Sequence, residues 1–502
     1  MSEPYRELAG LLAEAARLAS VSSLLSWDQE TGMPAGGARL RAEQLALLAG
    51  LVHERRTAPR LAELLAACEA DAKMGADPVV GANLREIRRD YDRAVRLPSA
   101  LVRQLAETAS LAMEAWRDAR ERSDYAAFAP WLERTLELVR AKAECLRRAA
   151  GDDLYDGLLD EYEPGATARE VETIFARLRL PLTELVAEVT QGPRQHRRVR
   201  GLRVPIAGQQ ALSAWLVQRI GFNLADGRLD VSTHPFCQGI GPGDTRLTSR
   251  YREDALLDGL GSVLHEAGHG LYEQGLPKRE FWGQPRADAA GLGIHESQSR
   301  LWENMVGRSR PFWSWLVPEA SRFLGPALDG ITVDDLHRAA NAVEPGMIRV
   351  EADEASYNLH ILLRFDLERA MLAGDLDTRD LPGEWNRRMQ QDTGVQVRND
   401  AQGCLQDIHW CFGAIGYFPT YTLGNVYAAQ FWTAAQRDMP DLEDQFARGE
   451  FGPLLGWLRE KIHRHGRRWT GPELCRRVTG AAPGPAPLLE YLNRKLRPLH
   501  VT

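Results

Sequence analysis

Leu260-Gly261-Ser262-Val263-Leu264-His265-Glu266-Ala267-Gly268-His269-Gly270-Leu271-Tyr272 carries apolar residues at helical spacing, and an H-E-x-x-H pentapeptide lies inside it, from His265 to His269. Residues four apart on a helix share a face, so both imidazoles can close on one metal ion. Glu266, next to the first of them, is placed to take a proton from water at that ion. Such a pentapeptide arises about 0.02 times by chance in a chain of this composition, so it suggests a zinc-dependent hydrolase without proving one. The plainer alternative is an amphipathic helix with two unrelated histidines.

A catalytic zinc has three protein ligands and an open position. The residues after His269 are Gly270-Leu271-Tyr272-Glu273-Gln274-Gly275, so the longer pattern with a third histidine is absent. The next donors lie in Gly293-Ile294-His295-Glu296-Ser297-Gln298. Glu296 is favoured as third ligand, because two His and one Glu form an established catalytic set. His295 competes with it. Glu273 also competes, but it is one turn along the same helix and too far down the axis for easy closure. Each metal-bound histidine needs an acceptor for its second ring nitrogen, and Glu303 and Asp353 are both candidates. Gly261, Gly268 and Gly270 lower helix propensity here, which points to close packing around the ion.

Outward from this segment, the chain reads as mostly helical. Leu8, Leu11, Leu12, Ala15 and Leu18 repeat at three and four, and similar stripes run to about residue 190. Breaks are expected at Pro78, Pro98, Pro130 and Pro164. Residues 201–251 differ. Gly227–His234 and Thr245–Tyr251 alternate apolar and polar residues around a Gly239–Asp244 turn, which predicts a small antiparallel hairpin. From 252 onward the pattern is helical again.

The 502 residues, with 44% hydrophobic and 26% charged, describe an ordinary globular protein. A net charge of −7 with no basic stripe excludes broad nucleic-acid binding, and Arg194–Arg203 reads as a solvated loop. The six scattered cysteines include no C-x-x-C pair, so neither a disulfide framework nor a thiolate zinc site is indicated. No run approaches the roughly 18 uninterrupted apolar residues of a membrane span, and no signal peptide is evident. A cytoplasmic protein without membrane partners is the expectation.

Further blocks surround the zinc motif: His234-Pro235-Phe236, Asp244-Thr245-Arg246-Leu247-Thr248, His295-Glu296-Ser297-Gln298, Ile348-Arg349-Val350-Glu351-Ala352-Asp353 and Gly403-Cys404-Leu405-Gln406-Asp407-Ile408-His409-Trp410, with Trp27-Asp28-Gln29 and Met33-Pro34 near the start. In this order they resemble the Taq-type zinc metallocarboxypeptidase family. The resemblance implies a large, mainly α-helical, neurolysin-like metallopeptidase fold with a small antiparallel β-sheet beside a deep active-site groove. The expected organisation is a single domain over 1–502, with a helical N-terminal part (1–200), a β hairpin region (201–251) and a helical catalytic part (252–502).

It also implies a homodimer that removes single residues from peptides with a free C-terminus. The metal would be zinc, with cobalt or manganese as substitutes, and Glu266 would be general base. Oxyanion donors are sought among His409, Tyr417 and Tyr421, with His409 and Tyr421 favoured by the resemblance. The substrate carboxylate calls for an arginine fork, for which Arg246 and Arg349 are the motif candidates. Either could instead form a structural pair, Arg349 with Asp353 for example. His234 is expected to contact substrate, and Asp244 and Asp407 to orient neighbours. An oligo-endopeptidase on the same scaffold and a non-catalytic helical metal-binding protein are the alternatives.

Overall fold

The computed structural model describes residues 2–147, 149, 151–192 and 199–501, so residues 194–198 of the Arg194–Arg203 loop lie outside the described residues. Helices dominate, as the 3.6-residue stripes predict, and three short strands form one small sheet. The chain falls into two compact units. The first comprises Met1–Val95, His196–Ala340 and Phe431–Gly480, and the second Arg96–Gln195, Asn341–Gln430 and Ala481–Thr502.

In the first unit, helices Glu3–Thr31 and Ala38–Arg56 form a hairpin, and the first of them also packs on Pro59–Glu69. Tyr5 and Leu8 join Leu61, Leu64, Leu65, Cys68, Leu84 and Ile87 in one apolar cluster. Glu3–Thr31 is long and apolar enough, by length and composition, to cross a membrane. Here it packs on helices and on the sheet.

The sheet differs from the predicted hairpin. Its strands are β1 (Gly227–Val231), β2 (Cys237–Gly241) and β3 (Asp244–Ser249), in the order β1-β3-β2. β1 pairs with β3 in parallel, Arg228 opposite Arg246, while β2 and β3 are antiparallel, Gln238 opposite Arg246. The glycine run therefore contains a strand. Gly239 is required there by a close approach, since a Cβ would lie 2.1 Å from Glu273 Oε2. Only Gly243, with φ +83°, serves the tight turn.

The motif helix, Leu256–Gly275, packs on β2 and β3, on helix Ile206–Arg219 and on helix Leu292–Arg300. The glycines behave unequally. A Cβ on Gly268 would lie 2.6 Å from the backbone of Gln298 and Ser299, and one on Gly270 would lie 2.7 Å from Leu247 and Phe222. Nothing described lies within 4 Å of one on Gly261, which corrects its reading as a packing glycine. Beyond Arg300 the helix widens into a π-helix, Leu301–Val306.

In the second unit, Ser356–Ala373 is buried over every residue from Ser356 to Phe365 and packs on Ala168–Val189 and Leu381–Thr393. Asp353 caps it, accepting hydrogen bonds from the Ser356 and Ala355 amides at 2.9 and 3.0 Å, so it has no part in orienting a metal-site histidine. Pro130, expected as a break, lies inside helix Tyr125–Leu146. Its missing N–H costs one helical hydrogen bond, and the buried face of Phe128, Leu132, Leu136 and Val139 keeps the helix intact.

Candidate metal centre and catalytic residues

On the motif helix, His265 and His269 both turn Nε2 toward a single oxygen, Oε2 of Glu296, at 3.7 and 3.5 Å. Ligand atoms of the three residues all lie within 4.8 Å of one another. With ligand distances of about 2.1 Å, two corners of a tetrahedral zinc site are about 3.4 Å apart, so the spacing fits a metal ion between the three groups. The donor set fits too: two borderline imidazoles and one carboxylate. The close crossing at Gly268 is what lets helix Leu292–Arg300 bring Glu296 to the histidines.

Glu296 is presented by one oxygen. Arg300, one turn on, donates from Nε to its other oxygen, Oε1, at 2.7 Å, and Ser299 Oγ donates to Oε2 at 3.2 Å. Burial alone would raise the Glu296 carboxyl, but Arg300 and His265 override it and hold it well below the usual range. The second ring nitrogens are engaged as well. His265 Nδ1 lies 2.8 Å from Glu303 Oε2, and Glu303 is itself held by Arg308 at 2.8 Å and Arg300 at 3.3 Å. Nδ1 of His269 meets His295 Nδ1 at 2.5 Å, and His295 Nε2 meets Glu273 Oε1 at 2.8 Å. Thus His295 and Glu273, weighed above as ligands, stand behind His269. Burial draws the His269 imidazole down to about 3, helped by His295, so it is neutral.

Glu266 is only 7% exposed, and burial pushes its carboxyl up to about 7. A group at that value exchanges protons near neutrality, as a general base must. A cation beside it favours the ionised form.

The blocks around the sheet also come together in the first unit. Asp244 forks Arg246 through Nε and Nη2, both at 2.8 Å, and the guanidinium lies 4.3 Å from the Trp27 ring centroid. Arg228 stacks on the same indole at 4.9 Å. The loop bearing His234 is pinned by Ser232 Oγ, which donates to the His234 carbonyl at 2.7 Å, and by Thr248, which accepts from the Phe236 amide at 3.0 Å. The His234 side chain is exposed.

In the second unit, His409, Tyr417 and Tyr421 form one aromatic cluster, with His409 ring centroids 5.2 Å from Tyr417 and 6.4 Å from Tyr421. Burial draws His409 down to about 4, so its ring is neutral. Arg349 lies 5.1 Å from the Tyr421 centroid. Arg349 pairs with Asp407, not Asp353: Nε donates to Oδ1 at 2.9 Å, and Nη1 donates to Tyr357 at 3.3 Å. The other Asp407 oxygen accepts from Arg364 Nε at 2.7 Å.

Sequence reading missed three of these residues. Arg300 has a signal, its i+4 spacing from Glu296. Arg364, fully buried, stands as a lone cation in the apolar run Leu359–Phe365. Glu368 has no comparable signal. It accepts from Tyr155 Oη at 2.6 Å, Trp410 Nε1 at 2.9 Å and the Gly416 amide at 3.1 Å, and so braces the segment that carries His409 and Tyr417.

The chain was compared with known proteins. Residues 7–496 match the family model described as carboxypeptidase Taq (M32) metallopeptidase. The chain is 46% identical over 506 residues to thermostable carboxypeptidase 1 of Thermus thermophilus, covering 99% of each, and 38% identical to that of Pyrococcus furiosus, covering 91% of each. The crystal structure of the M32 carboxypeptidase from Deinococcus radiodurans superposes with a TM-score of 0.95 at 40% identity, covering 100% of both chains.

Proposed function

The chain belongs to the carboxypeptidase Taq (M32) family of metallopeptidases, and on that premise we propose that it removes single residues from free peptide C-termini with Glu266 as general base and zinc held by His265, His269 and Glu296. The observation that carries this reading is the pair of Nε2 atoms facing one Glu296 oxygen, with both Nδ1 atoms already bonded behind them. Cobalt or manganese would suit the same donors. When bound, the ion supplies Lewis-acid polarisation of the scissile carbonyl and offsets the charge that develops on its oxygen.

The protein's residues do the rest. Glu266 takes a proton from the attacking water and passes it to the leaving amine. His409 and Tyr421, with Tyr417 beside them, are hydrogen-bond donors for the oxygen of the tetrahedral intermediate. Arg246 and Arg349 recognise the substrate carboxylate. Asp244 engages two of the three Arg246 guanidinium nitrogens, and at Asp407 one carboxylate is shared by Arg349 and Arg364. His234, on its pinned loop, contacts the peptide. We further assign the protein to the cytoplasm as a homodimer. The compartment is supported by six cysteines that are all free thiols, and the dimer is tested by light scattering.

Two measurements test the reading. Glu266→Gln keeps stoichiometric zinc and loses turnover by about 10²–10⁴-fold; undiminished turnover removes Glu266 from the mechanism. Mass spectrometry of digests shows loss of C-terminal residues from free peptides and none from amidated ones. Equal cleavage of both favours an oligo-endopeptidase, and no cleavage of either favours a non-catalytic metal-binding protein.

A further inference from the structure

We propose that His295 and Glu273 are positioning residues for His269, forming an imidazole relay that fixes its tautomer and its aim at the metal ion. This rests on the ligand assignment above. His269 points Nε2 at Glu296 Oε2, 3.5 Å away, and a ligating nitrogen carries no hydrogen. The hydrogen of a neutral His269 is therefore on Nδ1. That atom lies 2.5 Å from His295 Nδ1. Two N–H groups cannot face each other, so His295 Nδ1 accepts, and the His295 hydrogen is on Nε2. There it donates to Glu273 Oε1 at 2.8 Å. The second Glu273 oxygen pairs with Lys278, and the Gly239 backbone closes over that pair, leaving no room for a side chain.

Each hydrogen in the chain from ligand to Lys278 is thus assigned by the one before it. The arrangement differs from that behind His265, where Glu303 accepts directly at 2.8 Å. The first histidine is held by a carboxylate at once, and the second by a carboxylate through an interposed ring. Glu273 needs its own support, since a buried carboxylate without a counter-ion would not stay ionised. Lys278, 8% exposed, is that support.

The test reads zinc affinity, by competition with a chromophoric chelator, in the full-length protein. Loss of an outer partner of a metal-bound histidine weakens affinity by about 10–100-fold. His295→Ala and Glu273→Ala are each expected to do so, while the apo proteins keep wild-type far-UV circular dichroism. Glu273→Gln, which can still accept from His295 Nε2, is expected to recover most of the loss, a rescue that a filler role would not give. If either alanine variant fails to fold, the other together with Glu273→Gln decides. Wild-type zinc affinity in a folded His295→Ala or Glu273→Ala protein overturns the relay. If wild type itself binds no zinc, the ligand assignment falls, and the relay with it.

Discussion

Gly268→Ala adds one methyl group where the two ligand-bearing helices cross. The added Cβ would lie 2.6 Å from the Gln298 carbonyl oxygen and 2.6 Å from Ser299 Cα, about 0.8 Å short of the 3.4 Å at which ordinary contact begins. Both obstructing atoms are backbone, so no rotamer change relieves the clash. Helix Leu292–Arg300 must move away, and Glu296 moves with it. Ligand distances at a zinc site tolerate about 0.2 Å, so a shift of this size takes the carboxylate out of range. Overpacking of this kind costs about 1–3 kcal/mol, against a gain of about 1 kcal/mol from replacing a helical glycine. Chelator competition should show zinc binding at least about 10-fold weaker, and a displacement near 1 Å should lower turnover at saturating zinc by about 10²-fold. Gly261→Ala is the control. It is on the same helix with nothing described within 4 Å of the added atom, and it should stabilise the protein by about 0.5–1 kcal/mol with unchanged zinc affinity. Wild-type affinity in Gly268→Ala would refute the account of how Glu296 is brought to the histidines.

Other outcomes follow from the same geometry. Asp407→Asn leaves the Arg349 and Arg364 guanidiniums buried around a neutral amide and should cost about 3–5 kcal/mol in thermal or denaturant unfolding. Burial pushes Glu368 up to about 7 despite its three hydrogen bonds, so its folded state holds a proton that the unfolded chain releases near 4.5. Its stabilising contribution is therefore complete below about pH 4.5 and is lost as pH rises to about 7, a change of about 3 kcal/mol. Unfolding of Glu368→Gln and wild type, followed across that window, should diverge by this amount. Chelation should abolish turnover and lower the unfolding midpoint, since a ligand at 100 times its Kd contributes about 2.7 kcal/mol.

What was legible in the sequence is what depends on short range. Helical stripes, the i, i+4 histidines and the i, i+7 spacing of Glu296 and Glu303 all follow from one helix period. Where long-range contact decides, the residues did not show it. Gly261 and Gly268 look alike in the chain, yet only one faces a neighbouring backbone. Gly239 reads as turn, although its lack of a side chain serves the Glu273–Lys278 pair pressed against a strand. The hairpin reading failed because β3 slots between β1 and β2, a pairing that alternation of residues cannot encode. His295 could not be sorted from Glu296 as a ligand, because its role depends on meeting His269, 26 residues earlier. That each compact unit is assembled from three separate stretches is likewise invisible along the chain.

The π-helix at Leu301–Val306 makes the downstream register vulnerable to length as well as to composition. Such a turn is an α-helix carrying one surplus residue. Excising a single amino acid there would let ordinary winding resume, turning the following segment by about 100° and shortening it by about 1.5 Å. Glu303, which lies within the wide turn, would swing off His265, and the Phe312 and Trp313 side chains would leave their buried seats. A one-codon deletion in this short window should thus be far more damaging than most point substitutions in it.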